Sequence, residues 1–284
     1  MLSLIPKELS IPVLQKYLQN AIAPRPICFA STISKAGEPN LAPFSFFNIF
    51  SSNPPIAVFS PAYSGRTGAA KDTLLNVREV PEVVINVVNY NMVQQTSLAS
   101  SPFAKGVDEF VKAGFTPVSS DLVKPARVKE SPVQFECKVI DVKELGKAGG
   151  AGNLVICEII KIHIDESVLN AENQIDTHKI DLVARMGDNW YCRAKGDALF
   201  EVKKPITSIG IGYDAIPTEI KNSKILSGND LGLLGSIEQL PGSEEILEFK
   251  KTVSAFSTNE DVHHYAKTLL ESNKVKEAWM ILLQ

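Results

Sequence analysis

The stretch from Pro24 to Thr73 leaves this chain few ways to fold. Ile27 to Ile33 predicts one strand, Lys35-Ala36-Gly37-Glu38 its turn, and Asn40 to Phe47 the return. Ile56 to Ser60 predicts a further strand after the Asn53-Pro54-Pro55 break. This is a β-meander that opens an antiparallel sheet. A small-residue loop, Ser64-Gly65-Arg66-Thr67-Gly68, then leads into a helix predicted to start at Lys71-Asp72-Thr73, with Leu74, Leu75, Val77 and Val80 on one side. Free amides at a helix start, two cationic side chains and several hydroxyls suit a phosphate.

More strands follow. Pro24 and Pro26 keep the approach to the first strand extended, after a leading helix or loop over Pro6 to Asn20. Glu82 to Asn89 is almost continuously apolar and reads as a strand buried on both faces or lying at an interface. Asn91 to Ser100 predicts a short helix, and Asp108 to Ala113 another, closed by Gly114. Val133 to Val142 and Leu154 to Ile164 both alternate, and the glycine-rich loop Gly146 to Gly152 joins them as a hairpin. That loop lies between strands and opens no helix, so it is not a dinucleotide fingerprint; Gly68-Ala69-Ala70-Lys71 is too short for a P-loop. Asp181 to Arg193 predicts a last hairpin around Gly187-Asp188-Asn189.

After Lys195 the character changes. A polar, glycine-bearing segment precedes three helix-like stretches from Ser243 to the end. The first puts Ile246, Leu247, Phe249 and Val253 on one side, the second Val262, Tyr265, Ala266 and Leu269. The expected division is a β-rich domain over 1–195 and a mostly helical extension over 196–284.

A net charge of −3 gives no reason to expect a nucleic-acid partner. The longest apolar runs are strand-sized and the N-terminus lacks a signal-like core, so the expectation is a soluble cytoplasmic protein without a membrane partner. Cys28, Cys137, Cys157 and Cys192 are far apart, with no Cys-x-x-Cys pair and no histidine spaced to complete a zinc site. They are expected to be reduced and buried, and no metal is expected.

The ordered set PRPICFASTISKAGEPNLAPFSFFN, SSNPP and KDTLLN resembles the flavin reductase-like family, the FMN-binding split barrels that include flavoredoxins. The resemblance covers about the first two-thirds of the chain. It implies a mainly β fold, a six-stranded antiparallel Greek-key split β-barrel with flanking helices, forming a homodimer with FMN near the dimer interface. In the family an Arg-x-Gly-Gly-like turn and a tyrosine are expected near the last hairpin; Arg185 and Tyr191 match, while Asp188 replaces the second glycine. A bound flavin takes a hydride from a nicotinamide, so the protein need supply orientation and electrostatic tuning, with no nucleophile or metal. The first expectation is an NAD(P)H-dependent flavin reductase. The second is a tightly bound FMN electron carrier, flavoredoxin-like, that docks with a redox protein partner; the third is a barrel that binds FMN without catalysis.

Each expected cofactor-binding residue also has a plainer reading. Lys71 reads alone as a solvated lysine, but with Ser64, Arg66 and Thr67 before it and Thr73 behind it the phosphate reading prevails. Asp72 is a cap or first-turn carboxylate, since a direct contact would set two anions together. Ser31 and Thr32 are either simple β formers or, as the family suggests, hydroxyls that reach the phosphate or ribityl chain. In Phe44-Ser45-Phe46-Phe47-Asn48, Ser45 suits a close backbone approach to a flat ring and Phe46 or Phe47 its apolar wall, with Phe44 and Asn48 alongside; at least two of the phenylalanines should be core. Arg185 is either a solvated hairpin arginine or a cation near the electron-rich edge of a reduced flavin. His163, beside Asp165, is expected to be structural, with a carboxylate pairing as the alternative.

Overall fold

Alternation along the chain translates into strands that bury one row of side chains in common. The computed structural model describes residues 1–253 and 255–284. It divides into two units, Met1–Phe200 and Glu201–Gln284.

The first unit begins with helix α1 (Ile11–Ala21), followed by strands β1 (Cys28–Ile33), β2 (Pro39–Phe44), β3 (Phe47–Ser52) and β4 (Pro55–Phe59). Helix α2 (Asp72–Glu79) and strand β5 (Glu82–Val87) come next, then helices α3 (Val93–Ala99) and α4 (Glu109–Ala113). A two-stranded ribbon of β6 (Pro117–Val118) and β7 (Arg127–Val128) precedes the long hairpin of β8 (Val133–Glu144) and β9 (Asn153–Ile164). A small hairpin, β10 (Val183–Arg185) and β11 (Tyr191–Arg193), ends the unit's regular structure.

Seven strands form one antiparallel sheet in the order β2-β1-β5-β8-β9-β4-β3, one more than the six implied by the family resemblance. The extra strand arises because the expected return strand Asn40–Phe47 is broken. β2 ends at Phe44, β3 begins at Phe47, and only Ser45 and Phe46 lie between them. Those two strands are the opposite edges of the sheet, so a two-residue link between them requires the sheet to curl until its edges meet. All seven strands then reach one interior cluster: Cys28 and Ala30 of β1, Phe44 of β2, Phe47 of β3, Ala57 and Phe59 of β4, Val83 and Ile85 of β5, Cys137 of β8, and Val155, Cys157 and Ile159 of β9. This is the inside of a split barrel.

Helix α2 lies against β1 and β2 and sends Val77 into the same interior. Leu74 and Val77 are buried as expected from the periodicity, whereas Leu75 faces outward. A second cluster covers the outer face of β1: Phe29 and Leu41 pack with Met92 and Ala99, Phe110 and Ala113 of α4, and Phe115, whose ring meets Phe29 edge-on at 5.1 Å. Burial on both faces explains the continuous apolar run of β5. Helix α4 is bounded as its sequence foretells, since the Asp108 carboxylate accepts from the Phe110 amide and Gly114 turns left-handed at φ 70°.

The second unit has its own core. Helices α5 (Thr218–Lys221), α6 (Gly228–Leu234), α7 (Ser243–Lys250), α8 (Asn259–Glu271) and α9 (Val275–Leu282) bury Ile216, Ile220, Leu231, Leu234, Ala266 and Trp279. The Trp279 indole donates to the Leu234 carbonyl at 2.9 Å. Helices α5 and α6 fall inside the segment expected to be merely polar, and Leu247 on α7 is exposed instead of facing the core. Among the described residues no helix is long and apolar enough to cross a membrane.

Candidate functional site

The chain leaves β4 through a braced loop. The Ser60 amide donates to the Phe46 carbonyl at 2.9 Å, tying the start of the loop to the barrel seam. Ser64 N then donates to Ala69 O (2.9 Å) and Gly68 N to Ser64 O (2.8 Å), closing a tight turn in which Gly68 is left-handed at φ 69°. The Ser64 hydroxyl accepts from the Thr67 amide, and the Thr67 hydroxyl from the Ala69 amide, so both keep their own protons to donate. Arg66 and Lys71 are exposed, and among the described residues neither side chain forms a hydrogen bond or ion pair. Lys71 also occupies the N-cap of α2, where it offers no acceptor, so no side chain caps the first amides of the helix.

The glycine-rich β8–β9 loop is the brace. Tyr63 N donates to Ala151 O and Gly150 N to Tyr63 O, both at 2.9 Å. A Cβ at Gly149 would lie 2.9 Å from the Ser64 carbonyl oxygen, so only glycine permits this approach. Asn153 sits beneath, donating through Nδ2 to Pro61 O at 2.9 Å and through its amide to Ser60 Oγ at 3.1 Å.

Thr32 and Thr73 come together, in a buried network. Asn40 Nδ2 donates to Thr32 Oγ1 (3.1 Å) and Thr73 Oγ1 (2.9 Å), and Asn76 Nδ2 to Thr32 Oγ1 (3.2 Å). Both threonines are 1% exposed, so these hydroxyls hold α2 on the sheet and present no surface. Ser31 Oγ and Asn153 Oδ1 are buried without a hydrogen-bond partner among the described residues.

The break at Ser45-Phe46 divides the phenylalanine run, since unbroken alternation would set Phe44 and Phe47 on opposite faces. Phe44 and Phe47 pack on the barrel interior, with the Phe44 ring 5.5 Å from Phe59, while Phe46 is 45% exposed at the seam. Asn48 is exposed and its Oδ1 accepts from the Ile49 amide.

Ser45, Arg185 and Tyr191 line a separate cleft of about 660 Å³, of which Ser64, Arg66, Thr67 and Lys71 form no part. The Arg185 guanidinium lies over the Tyr191 ring, 4.7 Å from its centroid. Asp188, which stands where a second glycine was expected, itself takes the left-handed conformation at φ 49°, so the turn survives the replacement. Sequence reasoning missed Asn40, Asn76, Asn153 and Arg25. For Asn76 there was a signal, since it lies three residues after Thr73 on the same face of α2.

His163 has a different partner from the one its neighbour suggests. Asp165 caps a short 3₁₀ turn by accepting from Ser167 N, and the His163 Nε2 instead meets Glu136 Oε1 at 2.7 Å. Glu136 is fully buried and accepts from the amides of Asp121 (2.8 Å) and Leu122 (2.6 Å). Desolvation pushes its carboxyl up, but those amides and His163 outweigh it and hold the group below its ordinary value. Asp121, Glu136 and His163 are near enough to share a metal, yet Lys161 Nζ sits 2.5 Å from Asp121 and Arg127 lies 4.0 Å from Glu136. Those cations already balance the carboxylates. Cys28, Cys137 and Cys157 are buried thiols in the barrel interior; burial pushes the Cys157 thiol up to about 12. Cys192 is only half-buried.

Residues 21–179 match the flavin reductase like domain. The chain belongs to the flavin reductase-like family. A protein of Aquifex aeolicus is 33% identical over 199 residues, 69% of this chain and 97% of its own length. Component B of the nitrilotriacetate monooxygenase of Bacillus cereus superposes with a TM-score of 0.66 at 28% identity, covering 71% of this chain and 98% of that one. A split-barrel-domain protein from Shewanella frigidimarina shares the fold, with a TM-score of 0.60 at 23% identity over 70% of this chain and 96% of the other. The family thus has the mainly antiparallel split barrel seen here.

Proposed function

We propose that this protein is an NAD(P)H-dependent flavin reductase that binds FMN by its phosphate at the start of α2. The observation that carries this reading is the uncapped helix N-terminus flanked by Arg66 and Lys71, two cations without partners among the described residues. An anion there satisfies the first helical amides, the two charges and the protons of Ser64 and Thr67 together. Asn153, which braces the loop at Ser60 and Pro61, keeps a buried Oδ1 without a partner among the described residues, and sealed polar atoms of that kind are rare.

When bound, FMN supplies the hydride chemistry. The residues of this chain do the rest. Arg66, Lys71, Ser64 and Thr67 hold the phosphate, and the buried Thr32–Asn40–Thr73–Asn76 network fixes the helix that carries Lys71. Gly149 keeps the loop in position from behind. Ser45 and the exposed Phe46, at the seam where Ser60 anchors the loop, offer a close backbone approach and an apolar wall for a flat ring. All of this lies in the domain expected over 1–195; the helical extension over 196–284 has no assigned part.

We place the protein in the cytoplasm as a homodimer. The exposed apolar residues Ile11, Val13, Tyr17 and Leu18 on α1, none of whose residues is buried, favour that association, as do Ile49 and Phe50 on the edge strand β3. Oxidation of NADH and NADPH followed with increasing free FMN tests the reading. Turnover that saturates in free flavin supports a reductase; reduction of bound flavin alone favours the electron carrier and its redox protein partner.

A further inference from the structure

Arg25 is a buried charge without an ion-pair partner among the described residues. It is 6% exposed, and its guanidinium donates only to neutral acceptors: the carbonyls of Gln19, Ile22 (2.6 Å) and Met186 (2.8 Å), and the Ser45 hydroxyl (3.5 Å). Buried cations are ordinarily matched by a carboxylate. Here the charge that acts on it is a second arginine. Arg185 faces Arg25 across a β-bridge, with Arg25 N to Arg185 O at 2.9 Å and Arg185 N to Arg25 O at 2.8 Å. Burial and the charge of Arg185 both push the Arg25 pKa down. Arg185 itself has no ion pair among the described residues, and its stacking on Tyr191 holds the guanidinium plane while leaving its edge to donate.

The cleft these groups border is one-sided in charge. Its lining includes Arg185 and Arg193, the hydroxyls of Ser45, Ser97 and Ser100, and Tyr191, and it contains no carboxylate. Arg193 is neutralised by Asp181, which accepts from its Nε at 2.7 Å and its Nη2 at 2.6 Å. That leaves Arg185 at the wall and Arg25 behind it as uncompensated positive charge, in a chain whose net charge is −3. A low-dielectric cleft of one sign attracts the opposite ion. The turn is held in place from two sides: Arg25 grips the Met186 carbonyl, and Gly187 lies so close to Asn20 of α1 that a Cβ would overlap its side-chain amide.

We propose that this cleft is a second anion site, separate from the Lys71 loop, and that it takes the diphosphate of the reducing nucleotide through Arg185. The identity of the nucleotide rests on the reductase reading; the anion site does not. Its hydroxyls and aromatic faces suit a phosphorylated ligand with a flat group, and its volume is within the usual range of small-ligand pockets, roughly 300 to 1,000 Å³. Ser45 belongs both to this cleft and to the seam, so a nucleotide seated here lies next to the position given above to the flavin ring.

The probe is ADP, which carries a diphosphate but neither a flavin nor a nicotinamide. Calorimetric titration of ADP into the FMN-loaded protein should show saturable binding that weakens with added salt and is displaced by inorganic pyrophosphate. Arg185→Gln, checked for an unchanged melting temperature, should weaken ADP roughly tenfold or more, as expected for a lost charge-assisted hydrogen bond, and leave FMN affinity unchanged. Absence of ADP binding, or equal binding by Arg185→Gln, overturns the proposal. So does a variant that loses FMN in place of ADP, since the cleft would then belong to the flavin. The same titration of flavin-free protein keeps the two readings apart: ADP binding that depends on Arg185 upholds the cleft even if FMN is never bound.

Discussion

Reversing one charge at the start of α2 tests the phosphate assignment with little disturbance to the fold. Lys71 is exposed and its side chain is bonded to nothing among the described residues, so Lys71→Glu breaks no side-chain hydrogen bond in the free protein. A carboxylate at that position also favours the helix dipole, by about 0.3 to 1 kcal/mol. The melting temperature of the flavin-free protein should therefore hold or rise slightly. FMN binding should move the other way. Losing a charge-assisted hydrogen bond to the phosphate costs about 1 to 3 kcal/mol, which is roughly a 5- to 150-fold weaker dissociation constant. Flavin fluorescence quenching on titration measures it, and raising the salt should narrow the gap between wild type and variant because Lys71 is solvated. An affinity within twofold of wild type, in a variant that melts normally, refutes the assignment.

Two further substitutions probe the support of the site and the barrel. Gly149→Ala should displace the Ser64 carbonyl that its Cβ would meet at 2.9 Å, weakening FMN binding, with a stability cost of about 1 to 3 kcal/mol by calorimetry. Glu136→Gln offers one oxygen where the Asp121 and Leu122 amides need two, so one amide faces an NH₂ group; chemical denaturation should show a loss of about 1 to 3 kcal/mol. The pH dependence follows from the same carboxylate. Its folded pKa lies below the ordinary 4.5, so the stability it contributes is complete above that value and lost as pH falls through the lowered one. Thermal melts of the Gln variant should show a shallower acid decline than wild type, and an unchanged slope would remove Glu136 from the account.

Local sequence carried those parts of the fold that depend on neighbours in the chain. The alternation of β8 and β9, the Asp108 cap and the Gly114 stop are each written in a few consecutive residues. The break at Ser45-Phe46 was not, because Phe44 and Phe47 continue a strand-like pattern and only the meeting of the sheet's two edges makes the chain turn there. Helices α5 and α6 were missed for a different reason: with four and seven residues a 3.6-residue period hardly stands out, and neither is closed by a left-handed glycine of the kind that marked α4. In the site, Ser64, Arg66, Thr67 and Lys71 could be read together because they are contiguous. Asn40 and Arg25 could not, since their significance comes from contacts 33 residues away, to Thr73, and 161 residues away, to Met186. His163 illustrates the same limit: its adjacent carboxylate caps a turn, and the one it pairs with lies on the neighbouring strand.

The most direct measurement is a crystal structure of the protein soaked with FMN. The account predicts phosphate density at the start of α2, within hydrogen-bond reach of Lys71 and the Ser64–Thr67 loop, with the ring toward Ser45 and Phe46. Phosphate density in any other place, with that helix start left to solvent, would contradict it.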